Sequence, residues 1–322
     1  MIRRREFLAG AAAALSVAPV RAQAAFPNRP IRLIVPFPPG GPLDVMGRLV
    51  AQRLSTTLGQ VFVDNKPGAG GTLAGRETAR SDPDGYTLLM GSSAALAIGP
   101  ALYRENTGYD PIKSFVPVAM VSSVPYVMIA AANTPFKSVQ DVLAHAKAHP
   151  GELNFGVPNG APPHMLAEMF KMSTGANIVT VPYRGASTLI TDMLAGRLQL
   201  GFETTSVMFG HLNDGKIRGL AVIRDQRLAE LPELPTMVES GVKDVIGSSW
   251  SGVVAPAGTP PEIVTKIRNE IVAGLRASEI ADRLKIMAAD PVFMSQDEMA
   301  KFLADEYHRI GAIMRAANVK AD

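Results

Sequence analysis

Residues 31–54 read IRLIVPFPPGGPLDVMGRLVAQRL and contain the first strand, loop and helix that the sequence predicts. The apolar run Ile31–Phe37 is typical of a strand that is covered on both faces. A Gly/Pro-rich turn follows, and apolar residues then recur every three to four positions from Met46 to Leu54, which predicts an amphipathic helix. Strand, loop and helix in this order form the repeating unit of an open parallel sheet.

The same alternation recurs along the chain and predicts an α/β fold with two domains, because the strands are too many for one compact sheet. Val124–Ala131 and Trp250–Ala255 are strand-like runs that would cross between the domains. Domain one is therefore expected to be discontinuous, with residues 25–124 and 248–322, and domain two to span 125–247. The other predicted strands are Val61–Asp64, Tyr86–Met90, Leu153–Gly156, Ile178–Pro182, Leu198–Phe202 and Arg218–Val222.

The N-terminus predicts export. Three arginines at 3–5 precede the apolar run Ala9–Ala18, and Ala22-Gln23-Ala24 is a site that a signal peptidase can cleave. The pattern predicts a secretory signal over residues 1–24, because the apolar run is too short for a permanent membrane anchor. Arg4-Arg5-Glu6-Phe7-Leu8 also resembles the twin-arginine export motif, and an ordinary signal that begins with arginines is the alternative.

The apparent basic charge of the chain belongs to this signal. The whole chain carries a net charge of +3, and so do residues 1–24, which hold four arginines and one glutamate. The exported protein is therefore expected to be near neutral, without the clustered Lys and Arg of a nucleic-acid surface. The absence of cysteine excludes disulfides, thiol catalysis, thiolate metal sites and a lipid-modified N-terminal cysteine.

Six Gly-, Pro- or hydroxyl-rich loops follow predicted strands, at the edge where open α/β sheets bind ligands. Glycines let backbone N–H groups approach a ligand, and helix N-termini carry partial positive charge. Two such loops from facing domains can therefore hold a small anion with little side-chain charge. Any one alone is a turn, but six at one edge indicate a site. They are Phe37–Gly41, Asn65–Gly71, Gly91–Ser93, Gly156–His164, Pro182–Gly185 and Glu203–Ser206.

Other site chemistries have no support in the sequence. The Gly-rich loops lack the Lys-Ser/Thr of a phosphate loop and do not match the dinucleotide fingerprint. There is no Gly-x-Ser-x-Gly nucleophile elbow. Among the five histidines only His145 and His149 have helical spacing, which is typical of a solvated helix face. We therefore expect no cofactor, no metal and no enzymatic activity.

A further set of segments is distinctive in its order and spacing. It comprises Pro36–Gly41 with Asp44 and Arg48, Asn65–Gly71, Pro83–Leu89, His164, Val181–Gly185, Leu234–Thr236 with Glu239 and Gly241, Trp250, and Ala255–Pro260. Together these segments resemble the Bug-type receptors, the extracytoplasmic solute-binding subunits of tripartite tricarboxylate transporters. The resemblance covers nearly the whole chain after residue 24.

The resemblance implies a type II periplasmic binding protein, a Venus flytrap whose two α/β domains are joined by a hinge. It implies a monomeric periplasmic protein that closes on a small carboxylate, held by backbone amides and hydroxyls, and delivers it to the membrane subunits of the transporter. The residues implied at the ligand are Phe37, Gly40, Gly41, Ala69, Gly70, Ser92, Ser93, Asn159, Gly160, Ala161 and His164, with Tyr183 and Glu203 shaping the pocket floor.

The chain departs from the family pattern at several of these places. The loop before His164 has Gly156 and Pro158 where the family usually carries Ser and a further Gly, and Ala161 where a hydroxyl residue is common. Pro158 also lacks a backbone N–H. Leu43 stands where a small residue such as Thr is usual. These changes make the site more apolar and predict a ligand with a carboxylate and an apolar or aromatic body, rather than citrate.

Two other functions stay open at the level of sequence. The first is a receptor that reports ligand occupancy to a membrane signalling partner, without transport. It stays open because Bug-type receptors greatly outnumber the transporters that they can serve. The second is an enzyme, which stays open because the twin-arginine route often carries cofactor proteins. No nucleophile or cofactor motif supports the enzyme.

Overall fold

The computed structural model describes residues 26–158 and 161–319. The expected signal segment, residues 1–24, lies outside the described residues, as do Asn159 and Gly160. Within the described residues the strands are β1 (Ile31–Val35), β2 (Val61–Asn65), β3 (Thr87–Ser92), β4 (Phe115–Ala131), β5 (Asn154–Pro158), β6 (Val179–Tyr183), β7 (Leu200–Thr204), β8 (Ile217–Val222), β9 (Ser248–Pro256) and β10 (Asp290–Pro291).

The helices begin at the signals that the sequence provides. Prolines occupy the first turn of three of the longer ones, where a missing N–H costs nothing. Ser138 and Ser295 each form a capping box with the acidic residue three positions further on. The helices of the described residues are α1 (Pro42–Leu58), α2 (Thr72–Ala79), α3 (Gly99–Tyr103), α4 (Val139–Ala148), α5 (Pro162–Thr174), α6 (Ala186–Leu194), α7 (Thr205–Asn213), α8 (Pro261–Leu275), α9 (Ser278–Ile286) and α10 (Gln296–Ala316).

Two parallel sheets are connected through one long strand. β1 pairs in parallel with β2 and β3, and β5 pairs in parallel with β6 and β7. The first part of β4, up to Pro125, is antiparallel to β9, whereas its second part, from Tyr126, is antiparallel to β7 and β8. The molecule is therefore built of two α/β domains with β4 and β9 at their junction, and this architecture confirms the predicted fold class.

Buried apolar residues fill each domain, and one cluster, which includes Leu89 and Phe155, extends across both. In domain one, α1 and α8 cover one face of the sheet with residues such as Leu54 and Ile267, which are fully buried. In domain two, Phe155 and Phe202 stack with their ring centroids 5.2 Å apart, and Phe170 of α5 meets Phe155 edge-on. These cores hold the strands rigid, so the loops at the strand ends keep their positions.

β4 begins much earlier than the sequence predicts. The predicted crossing strand starts at Val124, whereas β4 starts at Phe115. Pro117 and the register shifts next to it interrupt the regular pattern, because proline cannot donate to a strand ladder. Within the described ranges, 26–158 and 161–319, no helix has the length and apolarity needed to cross a membrane.

Candidate functional site

A cleft of about 700 Å³ lies where the domains meet, beside the carboxyl ends of β1 and β3. Open α/β sheets bind ligands at this edge. Domain one contributes Phe37–Pro39, Gly41–Leu43, Met46, Gly70, Ser92–Ala94 and Met287, the junction strands contribute Ser122, Val124, Tyr126 and Ser249–Ser251, and α5 begins at the cleft with Ala161 and Pro162.

Asp44 holds the loop that follows β1. Its carboxylate is 2 % exposed and accepts hydrogen bonds from the Gly40 N–H (2.9 Å), Arg48 Nε (2.8 Å) and Asn65 Nδ2 (2.8 Å). Burial alone would raise the pKa of Asp44, but these three donors outweigh burial and lower the pKa to about 2. The Asn65 side chain also donates to the Phe37 carbonyl (2.9 Å), so the loop is fixed at both ends.

The loop after β2 depends on glycine for its shape. Gly71 has a φ of +92°, and a Cβ there would lie 3.1 Å from the side chains of both Pro36 and Ala95. The Thr72 hydroxyl donates to the Ala69 carbonyl (2.8 Å), which holds the turn against the start of α2. This close packing places Gly70 on the cleft wall.

Two buried serines mark the end of β3. Ser92 and Ser93 are 7 % and 5 % exposed, and both line the cleft. The Ala95 N–H donates to Ser92 Oγ at 3.4 Å, which leaves the Ser92 hydroxyl hydrogen available to an acceptor in the cleft. The chain turns here into a π-helical turn, Ala94–Ile98, that leads into α3.

The junction strands supply more hydroxyl groups. Ser122 and Ser251 lie opposite each other on β4 and β9 and are hydrogen-bonded through their Oγ atoms at 2.8 Å. The hydroxyls of Tyr126 and Ser249 form a second pair, and burial raises the pKa of Tyr126. A hydroxyl pair uses one hydrogen internally and leaves the other for a ligand.

Trp250 is fixed beside these strands by α10. Its Nε1 donates to Glu306 Oε2 at 3.2 Å, and its ring meets Phe302 edge-on with centroids 5.5 Å apart. Trp250 is the only tryptophan of the chain, and it lines the cleft.

The helix that faces the cleft from domain two has few free backbone donors. Pro162 and Pro163 occupy the first two positions of α5 and have no N–H. The Ala161 N–H donates to the Pro158 carbonyl (3.1 Å), and the His164 N–H donates to the Ala161 carbonyl (3.0 Å). From Ala161 to His164, each backbone N–H is therefore absent or already hydrogen-bonded.

The chemistry of the cleft is neutral. None of its lining residues within the described ranges carries a charge, and six of them carry hydroxyls: Ser92, Ser93, Ser122, Tyr126, Ser249 and Ser251. The rest of the lining is mostly aliphatic, aromatic or proline. In the same described ranges, no group of three His, Asp or Glu side chains is placed to hold a metal ion.

The structure brings together part of the residue set expected at the ligand. Phe37, Gly41, Gly70, Ser92, Ser93 and Ala161 line the cleft, and their contact with a ligand stays a prediction. Gly40 and Ala69 lie in the same loops without lining the cleft; the Gly40 N–H is used by Asp44. Asn159 and Gly160 fall outside the described residues.

Three residues of domain two that we expected at the ligand do not line the cleft: His164, Tyr183 and Glu203. His164 Nε2 lies 3.8 Å from Glu168 Oε1, and this oxygen accepts hydrogen bonds from Lys171 Nζ (2.8 Å) and the Thr180 hydroxyl (2.7 Å). The Tyr183 hydroxyl donates to Asp192 Oδ2 at 3.0 Å.

Glu203 is 6 % exposed and lies on β7, which pairs with β4 beside Tyr126. Its Oε1 accepts from the Thr204 N–H at 2.7 Å. Burial raises the pKa of Glu203 and outweighs the opposing hydrogen bonds from Thr204.

The sequence prediction missed the floor of the cleft. Ser122, Val124 and Tyr126 alternate along β4, as do Ser249 and Ser251 along β9, so each set faces one side. Alternating serines in two strands that cross between domains are a signal that could have identified the floor. The prediction was restricted to loops at strand ends, where ligand sites of open sheets concentrate.

Comparison with known proteins agrees with this geometry. Residues 46–319 match the family described as the tripartite tricarboxylate transporter family receptor. Protein BugT of Bordetella pertussis is 38 % identical over 306 residues, covering 94 % of this chain and 93 % of BugT.

Two solved structures of similar fold carry named ligands. R. palustris Rpa4515 with adipate has a TM-score of 0.79 and 35 % identity, covering 92 % of this chain and 99 % of that protein. MatC from Rhodopseudomonas palustris with bound malate has a TM-score of 0.76 and 27 % identity, covering 89 % and 99 %. With two α/β domains around a neutral cleft, and with this match along most of its length, the chain belongs to the receptor family of tripartite tricarboxylate transporters.

Proposed function

We propose that this chain is a periplasmic receptor that captures a small carboxylate with an apolar or aromatic body and delivers it to the membrane subunits of a tripartite tricarboxylate transporter. The observation that carries the proposal is the composition of the cleft: six hydroxyl residues and no charged side chain among the described lining residues. Such a site binds by neutral donors and by contact with an apolar surface.

A carboxylate suits the hydroxyl side of the cleft. Serine and tyrosine hydroxyls donate to carboxylate oxygens, and bonds to a charged acceptor are stronger than bonds between neutral groups. The described relatives bound to adipate and to malate carry carboxylate ligands, which supports this class of solute. Phe37, Gly41, Gly70, Ser92 and Ser93 are the lining residues that we expect to touch the ligand from domain one.

An apolar body suits the remainder of the lining. Pro38, Pro39 and Leu43 present carbon to the cleft, and the almost fully buried Met46 and Trp250 border it. Each Å² of apolar surface that the ligand buries against them contributes about 25 cal/mol. Citrate, with three carboxylates and a hydroxyl, gains nothing from such a surface and loses hydration.

A thermal-shift screen tests the proposal. A ligand that binds only the folded state raises the unfolding temperature, by an amount that grows with the logarithm of its concentration relative to its Kd. We expect aromatic and branched carboxylates to stabilise the purified protein and their primary amides to leave it unchanged. Strong stabilisation by citrate or malate, with none by aromatic or branched carboxylates, would contradict the proposal.

The proposal also includes the domain boundaries and the export signal expected from the sequence. Residues 25–124 with 248–322 form one closing body and 125–247 the other, with β4 and β9 as the hinge. Residues 1–24 direct the chain to the periplasm. Cell fractionation tests the location: recovery of the protein only in the cytoplasmic fraction would refute it.

A further inference from the structure

One side of the cleft is formed by three long aliphatic side chains, Leu43, Met46 and Met287, here called the apolar wall. Leu43 and Met46 lie three residues apart on α1, which places them on one helix face. Met287 follows the end of α9 and packs against the same core as the other two. None of the three has a hydrogen-bond donor, and a thioether sulfur is only a weak acceptor.

The hydroxyl groups lie elsewhere in the lining. Ser92 and Ser93 stand at the end of β3, and Ser122, Ser249 and Ser251 lie on the junction strands. The lining therefore divides into a hydroxyl side, on β3, β4 and β9, and an aliphatic side, on α1 and the turn after α9.

From Ala161 onwards, the described start of the facing helix offers no free backbone N–H as a second anchor. Its first two residues, Pro162 and Pro163, have no N–H, and the N–H groups of Ala161 and His164 are bonded to protein carbonyls. Among the described residues at the start of α5, no backbone donor remains for a second carboxylate.

Building on the proposed function, we infer that the solute carries a single carboxylate. Its carboxylate binds the hydroxyl side of the cleft, and its uncharged end lies against the apolar wall. Leu43, Met46 and Met287 are then specificity-determining residues. A second carboxylate placed against this wall would lose its hydration and find no donor or cation on Leu43, Met46 or Met287 in exchange, which is strongly unfavourable. The relatives described with adipate and malate, by contrast, hold dicarboxylates.

Two matched pairs of acids test the inference by isothermal titration calorimetry on the purified protein. Hexanoate and adipate differ only in a terminal methyl against a carboxylate, and benzoate and terephthalate differ only in a ring hydrogen against a carboxylate. We expect each monocarboxylate to bind about tenfold tighter than its dicarboxylate partner, or more, because the second charge is desolvated without a partner.

A charge introduced into the apolar wall tests whether the uncharged end of the solute lies there. Met287→Lys places an ammonium beside the cleft, so adipate should gain at least about tenfold in affinity relative to hexanoate. Ile286→Lys is the matched control: its side chain is 77 % exposed and does not line the cleft, so the ratio of the two affinities should not change. The wild-type comparison does not depend on either variant.

The outcomes separate this inference from the function on which it rests. Dicarboxylates that bind as tightly as the matched monocarboxylates overturn the single-carboxylate inference while supporting carboxylate capture. An unchanged affinity ratio in folded Met287→Lys overturns the placement of the uncharged end. An absence of binding by all four acids overturns the proposed function and the inference together.

Discussion

Asp44 shows how one buried residue shapes a cleft that it does not line. Three donors, from Gly40, Arg48 and Asn65, converge on its carboxylate and hold the loop after β1. A neutral asparagine cannot accept all three bonds, so Asp44→Asn should leave a buried donor without a partner. We expect a loss of about 1 to 3 kcal/mol in the free energy of unfolding, measured by urea denaturation at pH 7.

The same residue predicts a dependence on pH. Because the folded state lowers the pKa of Asp44 from 3.8 to about 2, its stabilisation is complete above about pH 4 and is lost as the pH falls towards 2. Asp44→Asn should lack this part of the acid sensitivity, whereas Asp82→Asn, at an exposed position, should retain it. Parallel acid curves for wild type and Asp44→Asn would refute the assignment.

The pKa of Glu203 is shifted in the opposite direction to that of Asp44, so its effect on stability has the opposite dependence on pH. Its burial raises its pKa above the ordinary 4.5, so it stabilises the fold only while it is protonated. That contribution is complete below about pH 4.5 and is lost as the pH rises through the raised pKa. Glu203→Gln should therefore become more stable relative to wild type between pH 4.5 and 8. Urea midpoints at both pH values measure this, and the exposed Glu230→Gln serves as control. An equal difference in stability between Glu203→Gln and wild type at both pH values would contradict this prediction.

Among the strands and helices, the sequence predicts those whose signal lies within a short stretch of the chain. Continuous apolar runs predict β1 and β3, and a Ser-x-x-Glu pattern stands at the start of α10, because strand burial and helix capping each leave a pattern within a few residues. The β4–β9 pairing that forms the cleft floor joins residues about 130 positions apart, such as Ser122 and Ser251, and no local pattern records it.

A capping box begins α10, the helix whose Glu306 accepts the Trp250 hydrogen bond. Ser295 Oγ accepts from the Glu298 N–H at 3.2 Å, and Glu298 Oε2 accepts from the Ser295 N–H at 2.7 Å. Ser295→Ala should cost about 1 kcal/mol in the free energy of unfolding. Ser187→Ala, at an exposed position within α6, should cost nothing, because alanine is a good helix former. Equal effects of the two substitutions in chemical denaturation would refute the capping role.

At the scale of the whole molecule, the two domains are connected by more than the hinge strands. Arg224, after β8, pairs with Asp290 of β10 at 3.0 Å across the proposed domain boundary. Arg309 of α10 donates to the Ile246 carbonyl at 3.2 Å, also across that boundary. β10 pairs with both Ser122 and Ser123 of β4, so it joins the junction strands next to the cleft floor. We expect closure on a solute to bend the molecule about β4 and β9.

Trp250 makes the central claim directly measurable. It is the only tryptophan, it lies between the cleft-lining Ser249 and Ser251 on β9, and α10 fixes its buried ring. A solute that binds in the cleft should change its fluorescence until the site is saturated. Titration with hexanoate, hexanamide and citrate therefore tests whether the neutral cleft selects a carboxylate with an apolar body. We predict saturable change with hexanoate alone. Saturation by citrate at lower concentration than by hexanoate, or equal responses to hexanoate and hexanamide, would contradict the account.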